Sequence, residues 1–408
     1  MTAIDRKVLK WIRQGESEAV EFKESFGREA LETICAFSNT AGGTLLIGVS
    51  NSGQIMDLQV GQQLLKDWAN QISQGLGLHP SIDLYKVKSK SVVRISVLES
   101  RMKPMMFHGK AYRRFGSTTR HMNLEKLTRV ALENVGITWD EIIEPRASMS
   151  DISMVKVKAF FRLAKEMGRR PVPDKVSSME LLEKLELVRV GKPTRAAILL
   201  FGKNPQKFYI HAIVKIGRFR NETLIVDDRE IEGTLFDQVE GATGYFREKL
   251  ETRFEMTGQP QRNVIWEYPL DALREALINA VCHRDYLSGG HTEVRLYDQE
   301  LMVWNPGGLP TGISLAMLKG RHTSVPRNRL IAKIFFYAGL IEQWGSGIQK
   351  MVGACRTVGL PEPKFEELMG FRITFAKSPF REGEKVRHKE GDFSTPQVPP
   401  KYPPSINY

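Results

Sequence analysis

The sequence has 408 residues, of which 41% are hydrophobic and 26% are charged, and this length and composition allow two or three globular domains. It lacks both the run of roughly 18 apolar residues that crosses a membrane and the apolar core of a signal peptide, so we expect no membrane partner. Its three cysteines lie far apart and match no metal-ligand spacing, which favours a reducing, cytoplasmic compartment, while its formal net charge of +12 favours a polyanionic partner.

The first 135 residues alternate between helix and strand patterns. An amphipathic helix is predicted near residues 5–14, and it is followed by the strand-like segment EAVEFKES, the helical segment REALETICAFSNTAGG and the buried strand TLLIGVSNSG. The segment LYKVKSKSVVRISVLES predicts two strands with a basic turn, and GKAYRRFGSTTR predicts a strand that ends in a loop. This order of elements predicts an α+β domain over residues 1–135.

The positive charge is concentrated between residues 86 and 120. This stretch has ten basic residues against one acidic residue, Glu99, for a local net charge of +9. A density of this kind is typical of proteins that bind polyanions such as nucleic acids. The basic residues are Lys86, Lys88, Lys90, Arg94, Arg101, Lys103, Lys110, Arg113, Arg114 and Arg120.

The N-terminal motifs closely resemble those of the Schlafen-type AlbA-like domain. The resemblance is carried by GESEAVEFKES, ICAFSNTAGGTLLIGVSNSGQI and KPMMFHGKAYRRFGSTTR, in this order, and covers about residues 12–125. It implies a DNA-binding module of the kind found in transcriptional regulators. A mainly phosphate-directed set of contacts predicts salt-sensitive binding with weak sequence discrimination. The residues expected to contact nucleic acid are Lys110, Tyr112, Arg113, Arg114 and Arg120.

The same resemblance offers a nuclease as an alternative. Some relatives are similar in carrying a pair of acids spaced as Glu16 and Glu21 are, with a third acid after the IGV strand, and these hold a divalent metal for RNA cleavage. Here Ser50 and Asn51 follow that strand, so the third carboxylate is absent from its expected place. We therefore favour pairing of the two glutamates with neighbouring basic residues such as Lys23.

Three further regions are predicted from residue 136 onward. Residues 136–190 predict a helical connector, with MVKVKAFFRLAKEM and SSMELLEKLEL as its clearest helices. Residues 191–377 predict an α/β layer on an antiparallel or mixed sheet, in which AAILLFG and IHAIVKIGRF are strands and TLFDQVEGATGYFREKLETRF is a helix. Residues 378–408 contain six prolines and predict a flexible, disordered tail, in which TPQV looks like the linker that leads into a winged helix in relatives.

One predicted helix, REALINAVCHRDY, places three polar side chains four residues apart: Glu275, Asn279 and His283. Each step of four residues advances about 400° around a helix, so the three form one stripe, and apolar residues fill most of the opposite side. The spacing fits two interpretations. One is an amphipathic helix with a solvated face, and the other is a site that holds a nucleotide and a metal.

The order of the C-terminal motifs resembles that of RecG-related transcriptional regulators, whose C-terminal region looks like a divergent GHKL-type ATP-binding sandwich. REALINAVCHRDY is followed by NPGGLP and RNRLIAKIFFYAGLIEQWGSGIQKM, and the resemblance covers about residues 190–377. It implies ATP and Mg²⁺ as cofactors, with Asn279 as the metal ligand and Glu275 as the catalytic acid that orients or deprotonates the attacking water. His283 is expected to hydrogen-bond either to a phosphate or to the protein itself.

The glycine motifs extend this predicted nucleotide site. Asn305 occupies the place where typical members have the aspartate that accepts a hydrogen bond from the adenine amino group, and Gly307 belongs to the motif that follows it. Gly345 and Gly347 precede a helical pattern, so they are expected to present backbone N–H groups to phosphate. A lid that closes on the phosphates is expected to contribute Ser324, Arg327 and Asn328.

Together these motifs predict a cytoplasmic DNA-binding transcriptional regulator with an ATP- and Mg²⁺-binding domain. Nucleotide binding is expected to order the lid and to shift the relation between the two domains. DNA is the expected partner, with RNA as an alternative, and the sequence leaves homodimer formation and ATP hydrolysis open. A metal-dependent nuclease and an ATP-free interaction scaffold are the alternative functions.

Overall fold

A computed structural model describes residues 3–87, 89–169, 176–255, 263–310, 313–318, 320, 325–342 and 345–377. The chain divides into two compact units, Met1–Ile137 and Thr138–Tyr408, and each has its own architecture. The predicted tail (378–408) and the predicted lid residue Ser324 lie outside the described residues.

The first unit contains four helices and six strands within its described residues. They are α1 (Ala3–Gln14), β1 (Val20–Lys23), α2 (Arg28–Asn39), β2 (Gly43–Ile47), α3 (Gln62–Leu76), β3 (Ser81–Val87), β4 (Lys90–Val97), β5 (Tyr112–Phe115), β6 (Thr118–His121) and α4 (Leu124–Val135).

A four-stranded sheet in the order β1-β2-β4-β3 organises the first unit. Strands β1 and β2 are parallel and are connected by α2, whereas the other neighbours are antiparallel. Because side chains alternate along a strand, β4 supplies both faces: Val93 and Ile95 belong to the core that includes α2 and α3, and Val92 packs with Val8 of α1. The sheet therefore lies between helices on both faces.

Strands β5 and β6 form a separate hairpin, where the sequence predicted one strand ending in a loop. The residues predicted as the loop, 116–119, include the two residues of the turn and the first two residues of β6. Thr118 and Thr119 pair with Phe115 and Arg114 across the hairpin, and β-branched threonine favours such an extended conformation.

The second unit contains the remaining α-helices and strands of the described residues. They are α5 (Met154–Glu166), α6 (Ser178–Lys184), β7 (Val188–Arg189), β8 (Lys192–Pro193), α7 (Arg195–Phe201), β9 (Val214–Phe219), β10 (Ile225–Ile231), α8 (Leu235–Lys249), β11 (Thr252–Glu255), β12 (Asn263–Trp266), α9 (Leu270–His283), β13 (Thr292–Leu296), β14 (Glu300–Asn305), α10 (Leu315–Leu318), α11 (Arg329–Tyr337), α12 (Gly347–Thr357), β15 (Lys364–Glu367) and β16 (Phe371–Ala376).

A six-stranded sheet in the order β10-β9-β13-β14-β16-β15 forms the base of this unit. The β9–β13 pair is parallel and the other pairs are antiparallel, so the sheet is mixed. Helix α9 packs against β14 and contacts both α8 and α12. The fold class predicted from the sequence, mixed helices and sheets, is confirmed by these two units.

One predicted strand in the second unit is wrong. The segment AAILLFG was predicted to be a strand, but Arg195–Phe201 is a helix, α7. Thr194 caps it by accepting a hydrogen bond from the backbone N–H of Ala197 at 3.3 Å, and every residue from Ala196 to Phe201 is buried. A short, wholly buried apolar run shows neither the helical nor the strand period, so its pattern does not distinguish the two. In neither unit is any described helix both long and apolar enough to cross a membrane.

Candidate functional site

Helix α9 presents its polar stripe to a cavity. Leucine and alanine favour the helix, and the residues on its opposite side, among them Leu273 and Leu277, are almost completely buried. Glu275, Asn279 and His283 are only half-buried. The Nδ2 atom of Asn279 donates a hydrogen bond to Oε1 of Glu275 at 3.1 Å, which fixes both side chains.

The cavity has a volume of about 150 Å³ and brings together eight of the ten residues predicted for the nucleotide site. Its floor is the sheet, at Val303 and Ile373, and its walls are α9 and the start of α12. The volume is smaller than that of typical ligand sites, roughly 300–1,000 Å³, so a complete nucleotide has to extend beyond it. The eight predicted residues are Glu275, Asn279, His283, Asn305, Gly307, Arg327, Gly345 and Gly347.

Burial changes the titration of two residues of the stripe. Removal from water raises the pKa of Glu275, and the positive charge of Lys350 partly opposes this effect. Burial, together with the nearby charge of Arg327, lowers the pKa of His283 to about 4. His283 is therefore neutral near pH 7, so it is able to donate one hydrogen bond but does not act as a cation.

The start of α12 contacts the Glu275–Asn279 pair directly. A Cβ atom at Gly347 would overlap Oε1 of Glu275 and would lie 2.9 Å from Nδ2 of Asn279, so only glycine fits this position without displacing them. Ser346, the residue that precedes the helix, makes no capping hydrogen bond through its side chain. The positive end of the α12 dipole thus faces the polar stripe.

Arg327 connects the glycine motif after β14 to the rest of the cavity. Its guanidinium donates to the carbonyl oxygen of Gly308 at 2.6 Å and lies 3.8 Å from a carboxylate oxygen of Asp285. Gly307 has φ of +99°, a conformation that side chains rarely adopt, and a Cβ atom there would lie 2.8 Å from Asp285. The glycine motif is therefore packed tightly beneath Arg327.

The structure places Asn328, a predicted lid residue, at the end of α9. Its side-chain nitrogen donates to the carbonyl oxygens of Cys282 and Arg284, at 2.9 and 2.8 Å, and the residue is almost completely buried. These bonds satisfy carbonyl groups that a helix end leaves without partners. Asn328 thus stabilises the end of α9 and does not line the cavity.

In the first unit, the predicted nucleic-acid ligands divide between the two faces of the β5–β6 hairpin. Arg113 pairs with Arg120 across the hairpin; Arg113 is half-buried, and Arg120 and Lys110 are exposed. Within the described part of the chain, none of these three basic side chains forms an ion pair. Tyr112 lies on the inner face, where its hydroxyl donates to Glu32 at 2.9 Å.

Arg114 also lies on the inner face and is almost completely buried. Its guanidinium lies 2.6 Å from a carboxylate oxygen of Glu21, and it donates to the hydroxyl of Thr119 at 2.9 Å and to the carbonyl of Ser17 at 2.8 Å. The ring of Phe37 lies beneath it, 5.1 Å from the guanidinium carbon. These contacts direct Arg114 into the protein, where it holds the hairpin against the sheet.

Comparison with known protein families finds one match within each unit. Residues 16–123 match the model "Schlafen, AlbA_2", and residues 289–375 match the model "Putative ATP-dependent DNA helicase recG C-terminal". The chain is therefore similar to Schlafen AlbA_2 domains over residues 16–123 and to RecG-type C-terminal regions over residues 289–375. The resemblances seen in the sequence are thereby confirmed. No curated protein matches the chain.

Two solved structures are similar to this chain, one over most of its length and the other over a smaller part. One is the crystal structure of the DIP2311 protein from Corynebacterium diphtheriae, which is 19% identical over 91% of this chain and 81% of that chain, with a TM-score of 0.48. The other is the solution structure of the N-terminal domain of a "Putative ATP-dependent DNA Helicase RecG-related Protein" from Nitrosomonas europaea, which is 26% identical over 30% of this chain and 95% of that chain, with a TM-score of 0.23.

The two glutamates considered for nuclease chemistry have protein partners within the first unit. Glu16 accepts a hydrogen bond from the backbone N–H of Phe22 at 3.0 Å. Glu21 is almost completely buried and lies 3.0 Å from the ammonium of Lys23, in addition to its contact with Arg114. Among the described residues, no three His, Cys, Asp or Glu side chains are grouped so that they would hold a metal.

Sequence reasoning missed Thr292, which forms a hydrogen bond with Asn305, one of the residues that line the cavity. The Thr292 hydroxyl donates to Oδ1 of Asn305 at 2.8 Å, and both residues are buried. Thr292 begins β13 and Asn305 ends β14, and they are the next residues after the pair Glu293 and Trp304 in the register of these antiparallel strands. Only the pairing of these strands reveals this contact, since the sequence around Thr292 carries no motif.

Proposed function

We propose that this protein is a DNA-associated transcriptional regulator in which the second unit binds a nucleoside triphosphate with Mg²⁺ and the first unit binds DNA phosphates. The observation that carries the proposal is the convergence of eight residues, from four separate sequence motifs, on one cavity. ATP is the nucleotide that the sequence resemblance implies.

The polar groups of the cavity fit a metal-bound triphosphate. Because Nδ2 of Asn279 is bonded to Glu275, its carbonyl oxygen Oδ1 remains as a neutral ligand of the type that Mg²⁺ accepts alongside phosphate oxygens. Bound there, Mg²⁺ would neutralise charge on the phosphates. The start of α12 offers backbone N–H groups to the same phosphates. Glu275, with its raised pKa, would act as a stronger base toward a water molecule than an ordinary carboxylate.

Nucleotide binding is expected to raise the melting temperature of the second unit. At a ligand concentration about 100 times Kd, binding stabilises the folded state by about 2.7 kcal/mol, so differential scanning fluorimetry with nucleotide and Mg²⁺ should record a rise of several degrees. Asn279→Ala should abolish this rise. Gln299→Ala, which removes an exposed amide elsewhere in the unit, is the matched control. An equal rise in all three proteins, or no rise in any, contradicts the proposed nucleotide site.

The outer face of the β5–β6 hairpin supports DNA binding by the first unit. Arg113 and Arg120 lie directly opposite each other, and like charges in this arrangement repel unless an anion lies between them. Lys110, which is exposed, adds a third positive charge near the start of the hairpin. A phosphate backbone supplies the missing anions and relieves this repulsion.

Removing the two outer arginines is expected to weaken DNA binding and its salt dependence together. Each lost phosphate contact lowers the slope of log Kd against log salt by about 1, so Arg113→Ala with Arg120→Ala should lower it by about 2. Fluorescence anisotropy with a labelled duplex between 50 and 300 mM salt, roughly the range in which such effects are large, measures both quantities. Lys66→Ala removes an exposed charge from α3 and should leave the slope unchanged. Equal slopes in all three proteins would exclude the hairpin as the DNA surface.

A further inference from the structure

Asn305 lines the cavity, and the oxygen of its side-chain amide already accepts a hydrogen bond. The residue is only 5% exposed, and its Oδ1 atom accepts the hydrogen bond from Thr292. Its Nδ2 atom makes no hydrogen bond within the described part of the chain. Because Asn305 lines the cavity and its oxygen is turned toward β13, the nitrogen and its two hydrogens face the cavity.

The opposite orientation of this amide is disfavoured by Thr292. Thr292 is completely buried, and the bond to Asn305 is the one that its hydroxyl donates among the described residues. If the amide rotated by half a turn, its nitrogen would donate to the threonine oxygen, and the hydroxyl proton would lose its acceptor. A buried donor without an acceptor is costly, so Thr292 holds the amide oxygen toward itself.

We propose that the cavity selects a nucleotide whose base presents a carbonyl oxygen, as guanine and hypoxanthine do, over one that presents an amino group, as adenine does. The selection rests on the nucleotide binding proposed above and assigns the base that the site prefers. An amide nitrogen donates to a carbonyl oxygen, whereas the amino group of adenine would place one donor against another. Sites that leave a buried polar group unpaired discriminate strongly against the wrong ligand.

Substitutions at Asn305 and at Thr292 are expected to change this preference for the base. In the variant Asn305→Asp, the Thr292 hydroxyl still donates to one carboxylate oxygen, and the other oxygen faces the cavity as an acceptor for an amino group. In the variant Thr292→Val, the hydroxyl is absent, so the amide of Asn305 rotates freely and presents either its oxygen or its nitrogen. The first variant should therefore favour adenine, and the second should show little preference.

Titration of the full chain with ITP, GTP and ATP in the presence of Mg²⁺ tests the proposal. ITP and ATP are the informative pair because their bases differ only in the replacement of an amino group with an oxygen and in the proton that accompanies it. We expect ITP and GTP to bind the wild-type protein about tenfold more tightly than ATP. Asn305→Asp should bind ATP at least as tightly as ITP, and Thr292→Val should reduce the ratio to within about twofold. Circular dichroism of each variant verifies that the fold is retained.

Three results would overturn the proposal, and they differ in what they say about the nucleotide site. If the wild-type protein binds ATP as tightly as ITP while Asn279→Ala abolishes binding, the base preference is wrong and the proposed function stands. If no nucleotide binds the wild-type protein, both fail. Tight binding of GTP with ITP as weak as ATP also contradicts the proposal, since the 2-amino group of guanine would then be the group recognised.

Discussion

Arg114→Ala is expected to destabilise the first unit by about 3–5 kcal/mol, which is the usual cost of removing one partner from a buried ion pair. The substitution leaves the carboxylate of Glu21 in the protein interior with only Lys23 as a cationic partner, and it removes the hydrogen bonds that connect the hairpin to Ser17 and Thr119. Urea-induced unfolding, followed by hydrogen–deuterium exchange of peptides from residues 1–137, measures this loss for the first unit alone.

Two variants separate the buried role of Arg114 from a role in DNA binding. Arg120→Ala removes the same side chain from the outer face of the hairpin and should change stability by less than about 0.5 kcal/mol. Arg114→Met combined with Glu21→Leu removes both charges and should recover most of the stability lost in Arg114→Ala. An Arg114→Ala protein with unchanged stability and reduced DNA affinity would show that the guanidinium faces DNA.

Gly347→Ala is expected to reduce nucleotide affinity at least tenfold while changing stability little. The added Cβ overlaps Oε1 of Glu275, so the carboxylate has to move and its hydrogen bond with Asn279 breaks. A flexible side chain absorbs this displacement at low cost to the fold, but the arrangement that presents Oδ1 of Asn279 to the metal is lost. Isothermal titration with nucleotide and Mg²⁺ measures the affinity.

Gly353→Ala is the matched control on the same helix. Gly353 is exposed, and a Cβ atom there meets no other atom within 4 Å. Alanine favours a helix interior over glycine by roughly 0.5–1 kcal/mol, so this variant should be slightly more stable and should bind nucleotide normally. Equal affinities of the two variants would mean that the Glu275–Asn279 pair does not contact the nucleotide.

The part of the site that could be predicted from the sequence depends on the periodicity of a single helix. Glu275, Asn279 and His283 are four residues apart, and a helix of any orientation places them on one side. The sequence does not give the distance in space between the helix and the glycine motifs. The convergence of α9, β14 and α12 on one cavity depends on the six-stranded sheet. The sequence therefore predicted which residues line the cavity, but it did not predict which residues they contact.

The strand predicted at α7 was wrong because a wholly buried segment shows no periodic pattern. Every residue from Ala196 to Phe201 is apolar and buried, so neither the 3.6-residue nor the two-residue period was visible in α7. The segment 378–408, predicted to be a flexible tail, and the predicted lid residue Ser324 lie outside the described residues, so both remain predictions.

By itself, the sequence determined that the protein has a basic N-terminal segment, a polar stripe on one helix and glycine motifs near it, because these depend on composition and on spacing within one element. The tertiary structure decided which polar groups are already engaged. Arg113 and Arg114 are adjacent and chemically identical, yet strand alternation directs one outward and the other to Glu21. The amide oxygen of Asn305 is engaged because Thr292, thirteen residues earlier, lies beside it at the start of β13. A polar side chain bonds with the groups that the fold brings beside it, and for Arg114 and Asn305 those groups are distant in the sequence.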